Sequence, residues 1–181
     1  MFDLDNVFYG NEIRTWLVAL GLSVAVLIVL RLVEQLVIVR IERLTSRTRT
    51  IIDDLIVGAL RKTKLLYLFV VAVYLGSLTL TLPENLRALD SRILMVATLL
   101  QAGVWASTAI TLWLAHYRAT EEDGANRTTM NALSFIVRVV LWATIVLLIM
   151  DNLGVDVTAL VTGLGIGGVA IALAVQNVMS D

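Results

Sequence analysis

Gly163, Gly165 and Gly168 have the GxGxxG spacing that cradles a dinucleotide pyrophosphate at a strand-to-helix turn. That chemistry needs a preceding strand and a soluble helix. These glycines sit instead inside an apolar run, where small residues serve close helix approach. Asp53 and Asp54 are adjacent. Neighbours on a helix do not share a face, so they read as a cap and a solvated surface, not a carboxylate dyad. His116 is the only histidine and has no companions at metal-ligand spacing. Asn126-Arg127-Thr128 matches a glycosylation acceptor, but the orientation derived below puts it in the cytoplasm. The absence of cysteine excludes disulfides, thiolate metal sites and cysteine catalysis. No nucleophile–base pair and no phosphate loop is present. The expectation is a protein that is not an enzyme and has no cofactor or metal.

Charge inside apolar sequence is a functional hint by default. Arg31 and Glu34 are spaced i, i+3 and can pair on one helix face. Arg138 lies early in another apolar run. Two readings stand for these groups: contact with lipid headgroups by snorkelling, which is favoured, or an ion or proton path. A proton-coupled transporter would place acidic groups near the midplane.

The elements that carry these residues follow from composition. Hydrophobic residues make up 59% of the chain and charged residues 16%, with a mean hydropathy of +0.87. The apolar residues gather in runs long enough to cross a hydrocarbon core of about 30 Å at 1.5 Å per residue. Five such spans are predicted: Trp16 to about Val39, Lys64–Leu82 ending at Pro83, Ile93–Ala115, Leu133–Met150, and Val157 to about Val178. Spans two, three and five contain no Asp or Glu. The fold class is an all-α membrane protein of about five transmembrane helices per subunit. Its parts are residues 1–63 (first span, basic loop and a short amphipathic helix), 64–92 (second span), 93–150 (a hairpin of spans three and four) and 151–181 (the last span). Thr50 and Asp53 have capping-box spacing and open the amphipathic helix. The chain opens with Asp3, Asp5 and Glu12 before its first apolar run, unlike a cleaved signal, so the first span is expected to remain.

Basic residues orient the spans. Arg40, Arg43, Arg47, Arg49, Arg61, Lys62 and Lys64 lie between spans one and two, and Arg118 and Arg127 between spans three and four. The opposite side has Arg14, Arg87 and Arg92. Nine against three places the first set in the cytoplasm, with the N-terminus outside and the C-terminus inside. Arg61, Lys62 and Lys64, with Arg31 and Arg138, are the expected lipid contacts. The net charge of −1 gives no nucleic-acid surface.

Span five differs from the others. Four glycines fall between Gly163 and Gly168, each costing about 1 kcal/mol against alanine in a helix, so they require a packing reason. Small residues recur at Ala159, Gly163 and Gly167, one turn apart, and at Gly168 and Ala172 on an adjacent stripe; Gly165, Ala170 and Ala174 add to the small-residue surface. Val169 and Leu173 stack at i, i+4. In a ring of packed copies they would form apolar constrictions that gate by dewetting. A tight helix pairing inside one subunit explains the glycines equally well on physics alone.

Residues 163–177, from Gly163-Leu164-Gly165-Ile166-Gly167-Gly168 to Gln176-Asn177, together with the approach Asp151-Asn152-Leu153-Gly154-Val155-Asp156, resemble the pore helix of the mechanosensitive channels of small conductance. The five-span count resembles the larger members, which add two helices before a three-helix core. The resemblance implies a homoheptamer in a prokaryotic cytoplasmic membrane, opened by tension as an osmotic release valve. Ions and small osmolytes would pass with little selectivity. Span five would line the pore, with Val169 and Leu173 at the two sealing positions. The helix would kink at Gln176 and Asn177, where the family usually has glycine at the position of Asn177. A cytoplasmic domain would follow, and the sequence reaches Asp181 before it. A membrane oligomerisation scaffold without a conducting pore, and then a secondary transporter, remain as alternatives.

Overall fold

The computed structural model describes residues 7–45, 51–120 and 124–180. A small antiparallel hairpin, β1 (Val7–Phe8) and β2 (Asn11–Glu12), leads into a series of helices: α1 (Ile13–Thr45), α2 (Ile51–Leu60), α3 (Leu65–Ser77), α4 (Glu84–Thr120), α5 (Gly124–Asn152) and α6 (Thr158–Ser180). Uninterrupted apolar runs make long helices, and the one proline, Pro83, stands just before α4. Its carbonyl accepts from the N–H groups of Leu86 and Arg87 in the first turn.

The surface is that of a membrane protein. Leu66, Phe135 and Leu36 are 73%, 70% and 67% exposed, whereas the polar Asn11, Gln101 and Ser134 are buried. In water this arrangement would be reversed. Among the described residues, Ile13–Ile41, Glu84–His116 and Met130–Asn152 are long and apolar enough to cross a bilayer. Leu65–Ser77 and Thr158–Ala174 are apolar but shorter.

The second predicted span is therefore corrected. Its helix ends at Ser77 after 13 residues, about 20 Å, and not at Leu82. The chain tightens there because Thr79 and Leu80 donate backbone N–H bonds back to Gly76 and Ser77. The hydroxyls of Ser77 and Thr79 bond to the Tyr74 and Gly76 carbonyls, competing with helix continuation. The single Ser77 proton lies between two acceptors, the Tyr74 carbonyl and the Asp90 carboxylate of α4. The boundary drawn between residues 92 and 93 falls inside α4, which starts at Glu84.

Helices α1 and α3 pack together, α4 packs on α2, α3 and α5, and α2 also touches α1. Lipid offers no hydrophobic drive between helices, so close approach at small residues holds them. Three glycines mark the crossings. A Cβ on Gly76 would lie 2.6 Å from the Ala19 carbonyl oxygen and collide with the Ser23 hydroxyl. One on Gly103 would lie 2.5 Å from Ile145 Cδ1, and one on Gly58 would collide with Leu112. Gly76→Ala is expected to destabilise the α1–α3 pair by about 1–3 kcal/mol, because backbone must move to admit the methyl. Denaturant unfolding in mixed micelles measures the loss; an unchanged midpoint would refute the crossing.

Candidate functional site

Helix α6 stands off from the subunit. From Thr158 to Gln176 every described side chain is exposed except Gly167, which is half-buried. Val169, Leu173 and Ile171 are 61%, 57% and 67% exposed. A Cβ added at Gly163, Gly165, Gly167 or Gly168 would meet nothing within 4 Å. The glycine-rich helix thus has no packing reason among the described residues. Pairing within one subunit, left open by the sequence, is absent among the described residues.

The faces of α6 follow from the helical repeat of about 100° per residue. Val169 and Leu173 centre one face, and Ile171 falls about 180° away from that centre. Ala159, Gly163, Gly167, Ala170 and Ala174 fall on one flank of that face; Gly165, Gly168 and Ala172 fall on the other. A helix in a closed ring needs this arrangement: two flanks for two neighbours and one face for the axis. The helix continues through Gln176 and Asn177 to Ser180.

The mounting of α6 is built from its own sequence. At the end of α5, Gly154 N donates to Asp151 O and Val155 N to Met150 O, the Schellman pattern, with Gly154 at φ +87°. Asp156 Oδ1 then accepts from Thr158 N at 2.9 Å and caps the first turn of α6. The Thr158 hydroxyl, and then its N–H, hold the Asp156 carboxyl below its ordinary value. A lowered value means the cap is fully present above the ordinary carboxylate range and is lost as pH falls through the lowered one. Amide protection in the first turn of α6, taken relative to the intrinsic exchange rate at each pH, should therefore fall in acid, and Asp156→Asn should remove that extra pH dependence. Gly154→Ala should cost about 1 kcal/mol from the left-handed backbone alone, read as a lower melting midpoint.

The charged residues take defined places. Arg31 Nη1 donates to Glu34 Oε2 at 2.7 Å, as the i, i+3 spacing predicts. Arg138 Nη2 donates to Thr111 Oγ1 at 2.9 Å, while its buried Nε–H finds no acceptor among the described residues. Arg61, Lys62 and Lys64 are exposed at the break between α2 and α3. Helix α2 begins at Ile51 as expected, but Thr50 and the Asp53 side chain lie outside the described residues. One face of α2 packs on α4, where Gly58 lies against Leu112.

Sequence reasoning missed the group that repairs this break. Gln101, 2% exposed and midway along α4, accepts from Lys64 N at 3.0 Å and donates Nε2 to Lys62 O at 3.3 Å. Trp105, one turn on, donates Nε1 to Thr63 Oγ1. Backbone groups freed from a helix and packed against another helix must be satisfied by protein. A lone amide in the apolar run from Ile93 to Ala115 was the available signal.

The fold and this site define a helical membrane protein whose last helix has no helix packed on its glycines among the described residues. Residues 135–176, from α5 into α6, match the family "Mechanosensitive ion channel, transmembrane helices 2/3". The chain is 26% identical over 185 residues to the large-conductance mechanosensitive channel MscMJLR of Methanocaldococcus jannaschii, an alignment covering 98% of this chain and 51% of that one. It is 25% identical over 182 residues to the small-conductance mechanosensitive channel MscMJ of the same organism, covering 98% and 52%. The chain spans about half the length of these curated relatives. No solved structure gives a significant match. The resemblance seen in the last span holds: the chain is similar to mechanosensitive ion channels.

Proposed function

We propose that this chain is the membrane portion of a tension-gated, weakly selective channel for ions and small osmolytes, assembled as a homoheptamer in a prokaryotic cytoplasmic membrane. The observation that carries the reading is α6: two small-residue flanks without a partner among the described residues, inside the segment that matches the channel family. Copies of α6 meet flank to flank and line the pore, with Val169 and Leu173 toward the axis and a kink at Gln176 and Asn177. Tension favours the state of larger membrane area, which a widened ring supplies.

The N-terminus faces outside and the C-terminus the cytoplasm, following the basic asymmetry. Arg138, held by Thr111 through Nη2, lies early in its span, where its guanidinium can snorkel to the inner headgroups. Arg31, Arg61, Lys62 and Lys64 contact inner headgroups. The short α3 matches a locally thinned bilayer there, or long side chains that snorkel across the difference.

Patch recording from liposomes tests the function. Currents evoked by suction support the channel. Silence from an intact oligomer supports a scaffold, and uptake against a gradient a transporter. Because the chain has no cysteine, single cysteines report orientation. One at Asp151 should react with an impermeant external reagent and one at Thr48 should not; the reverse pattern overturns it.

A further inference from the structure

The N-terminal hairpin has no role in the account above, yet it is built with care. Val7 pairs with Glu12 and Phe8 with Asn11, leaving Tyr9-Gly10 as a two-residue turn. Both turn residues have positive φ, +51° for Tyr9 and +78° for Gly10, as a tight hairpin of this kind requires. That conformation is uncommon for a tyrosine and persists where surrounding bonds over-determine it.

Asn11 supplies those bonds. It is 6% exposed. Its Nδ2 donates to Tyr9 O and to Thr81 O, both at 3.1 Å. Its Oδ1 accepts from Thr81 N at 2.8 Å and from Thr81 Oγ1 at 2.7 Å. All four hydrogen-bonding positions of the amide are used. One side chain closes the turn and fastens it to the α3–α4 connection, 70 residues away.

What this mounting presents is apolar. Val7, Phe8 and Tyr9 are 67%, 61% and 56% exposed. The Phe8 ring lies edge-on to Tyr9 and Trp16, and Trp16 Nε1 donates to Phe8 O. Helix α1 starts at Ile13, and its exposed apolar surface begins at Leu17 and Val18, about one turn further along. The hairpin therefore stands at the height where the membrane-facing surface of the bundle begins. Aromatic side chains with one polar end favour that headgroup layer over water or hydrocarbon.

We infer that this hairpin is an interfacial anchor, with the Val7–Tyr9 tip seated in the headgroup layer of the bilayer and Asn11 transmitting its position to the α3–α4 connection. The inference rests on the membrane reading and not on channel activity. A fluorophore on Val7→Cys, in liposomes and otherwise cysteine-free protein, reports the depth. Quenching by nitroxide lipids labelled near the headgroup should exceed quenching by lipids labelled deep in the chain. Iodide should quench it less than the same label on Asn85→Cys.

Adding Phe8→Ser with Tyr9→Ser, or separately Asn11→Ala, should abolish the lipid quenching. Thr81→Val, which keeps the Thr81 backbone bonds, should reduce it if Asn11→Ala does not fold. A Val7 label quenched by iodide as strongly as the Asn85 label, with no response to lipid, overturns the anchor in favour of a solvated hairpin. Protection from both quenchers with energy transfer between labelled copies overturns it in favour of a subunit contact. Suction-evoked currents are not part of the readout, so loss of the channel reading would leave this result standing.

Discussion

Gly163→Leu and Gly167→Leu will each disperse the oligomer or shift its opening pressure while leaving the subunit folded. The sign of the effect is what makes the experiment decisive. Leucine exceeds glycine in helix propensity by about 0.8 kcal/mol. A Cβ at either position meets nothing within 4 Å in the subunit. For an isolated chain both substitutions should therefore be neutral or stabilising. Between two α6 helices in contact, the added side chain costs about 1–3 kcal/mol per contact, repeated around the ring. Light scattering of the extracted particle and circular dichroism of the same sample separate the two cases. Unchanged size together with an unchanged pressure threshold would mean that this flank faces lipid or open space.

The contrast with Gly76 shows what a sequence conceals. Glycine in an apolar helix looks the same whether it meets a neighbouring helix, lipid or another copy. The clustered glycines of α6 stood out, and a Cβ on any of them meets nothing within 4 Å among the described residues. The isolated Gly58, Gly76 and Gly103 did not stand out, and they are the crossing points of the subunit. Long apolar runs made α1, α4 and α5 legible, since length and composition alone define them. The end of α3 was not legible. Its early stop depends on hydroxyls of Ser77 and Thr79 bonding locally and on Asp90 from the next helix.

The buried amides were hidden for a related reason. Asn11 and Gln101 act on backbone 70 and 37–39 residues away, and no local pattern announces such partners. The Arg31–Glu34 pair was readable because its partners share one helix turn. The character of α6 was readable because its composition departs from that of every other span.

Val169→Ser and Leu173→Ser are expected to raise resting leak or lower the opening pressure. The two residues share one face of α6, one turn apart, with glycine and alanine on both flanks. A ring of such side chains encloses a narrow apolar neck from which water withdraws, so ions are stopped without a physical lid. A hydroxyl in each subunit offers that water a hydrogen-bonding partner at every position around the ring, and the neck stays wet. Ile171 is the control. It is as exposed in the subunit as the other two, but it falls on the opposite face of the helix. Ile171→Ser should therefore leave resting leak near its original level, although it removes comparable apolar surface. Leak measured at zero suction in liposomes distinguishes the faces. If Ile171→Ser leaks while the Val169 and Leu173 variants stay closed, the axis lies on the other side of α6 and the flanks assigned to its neighbours must be exchanged with it.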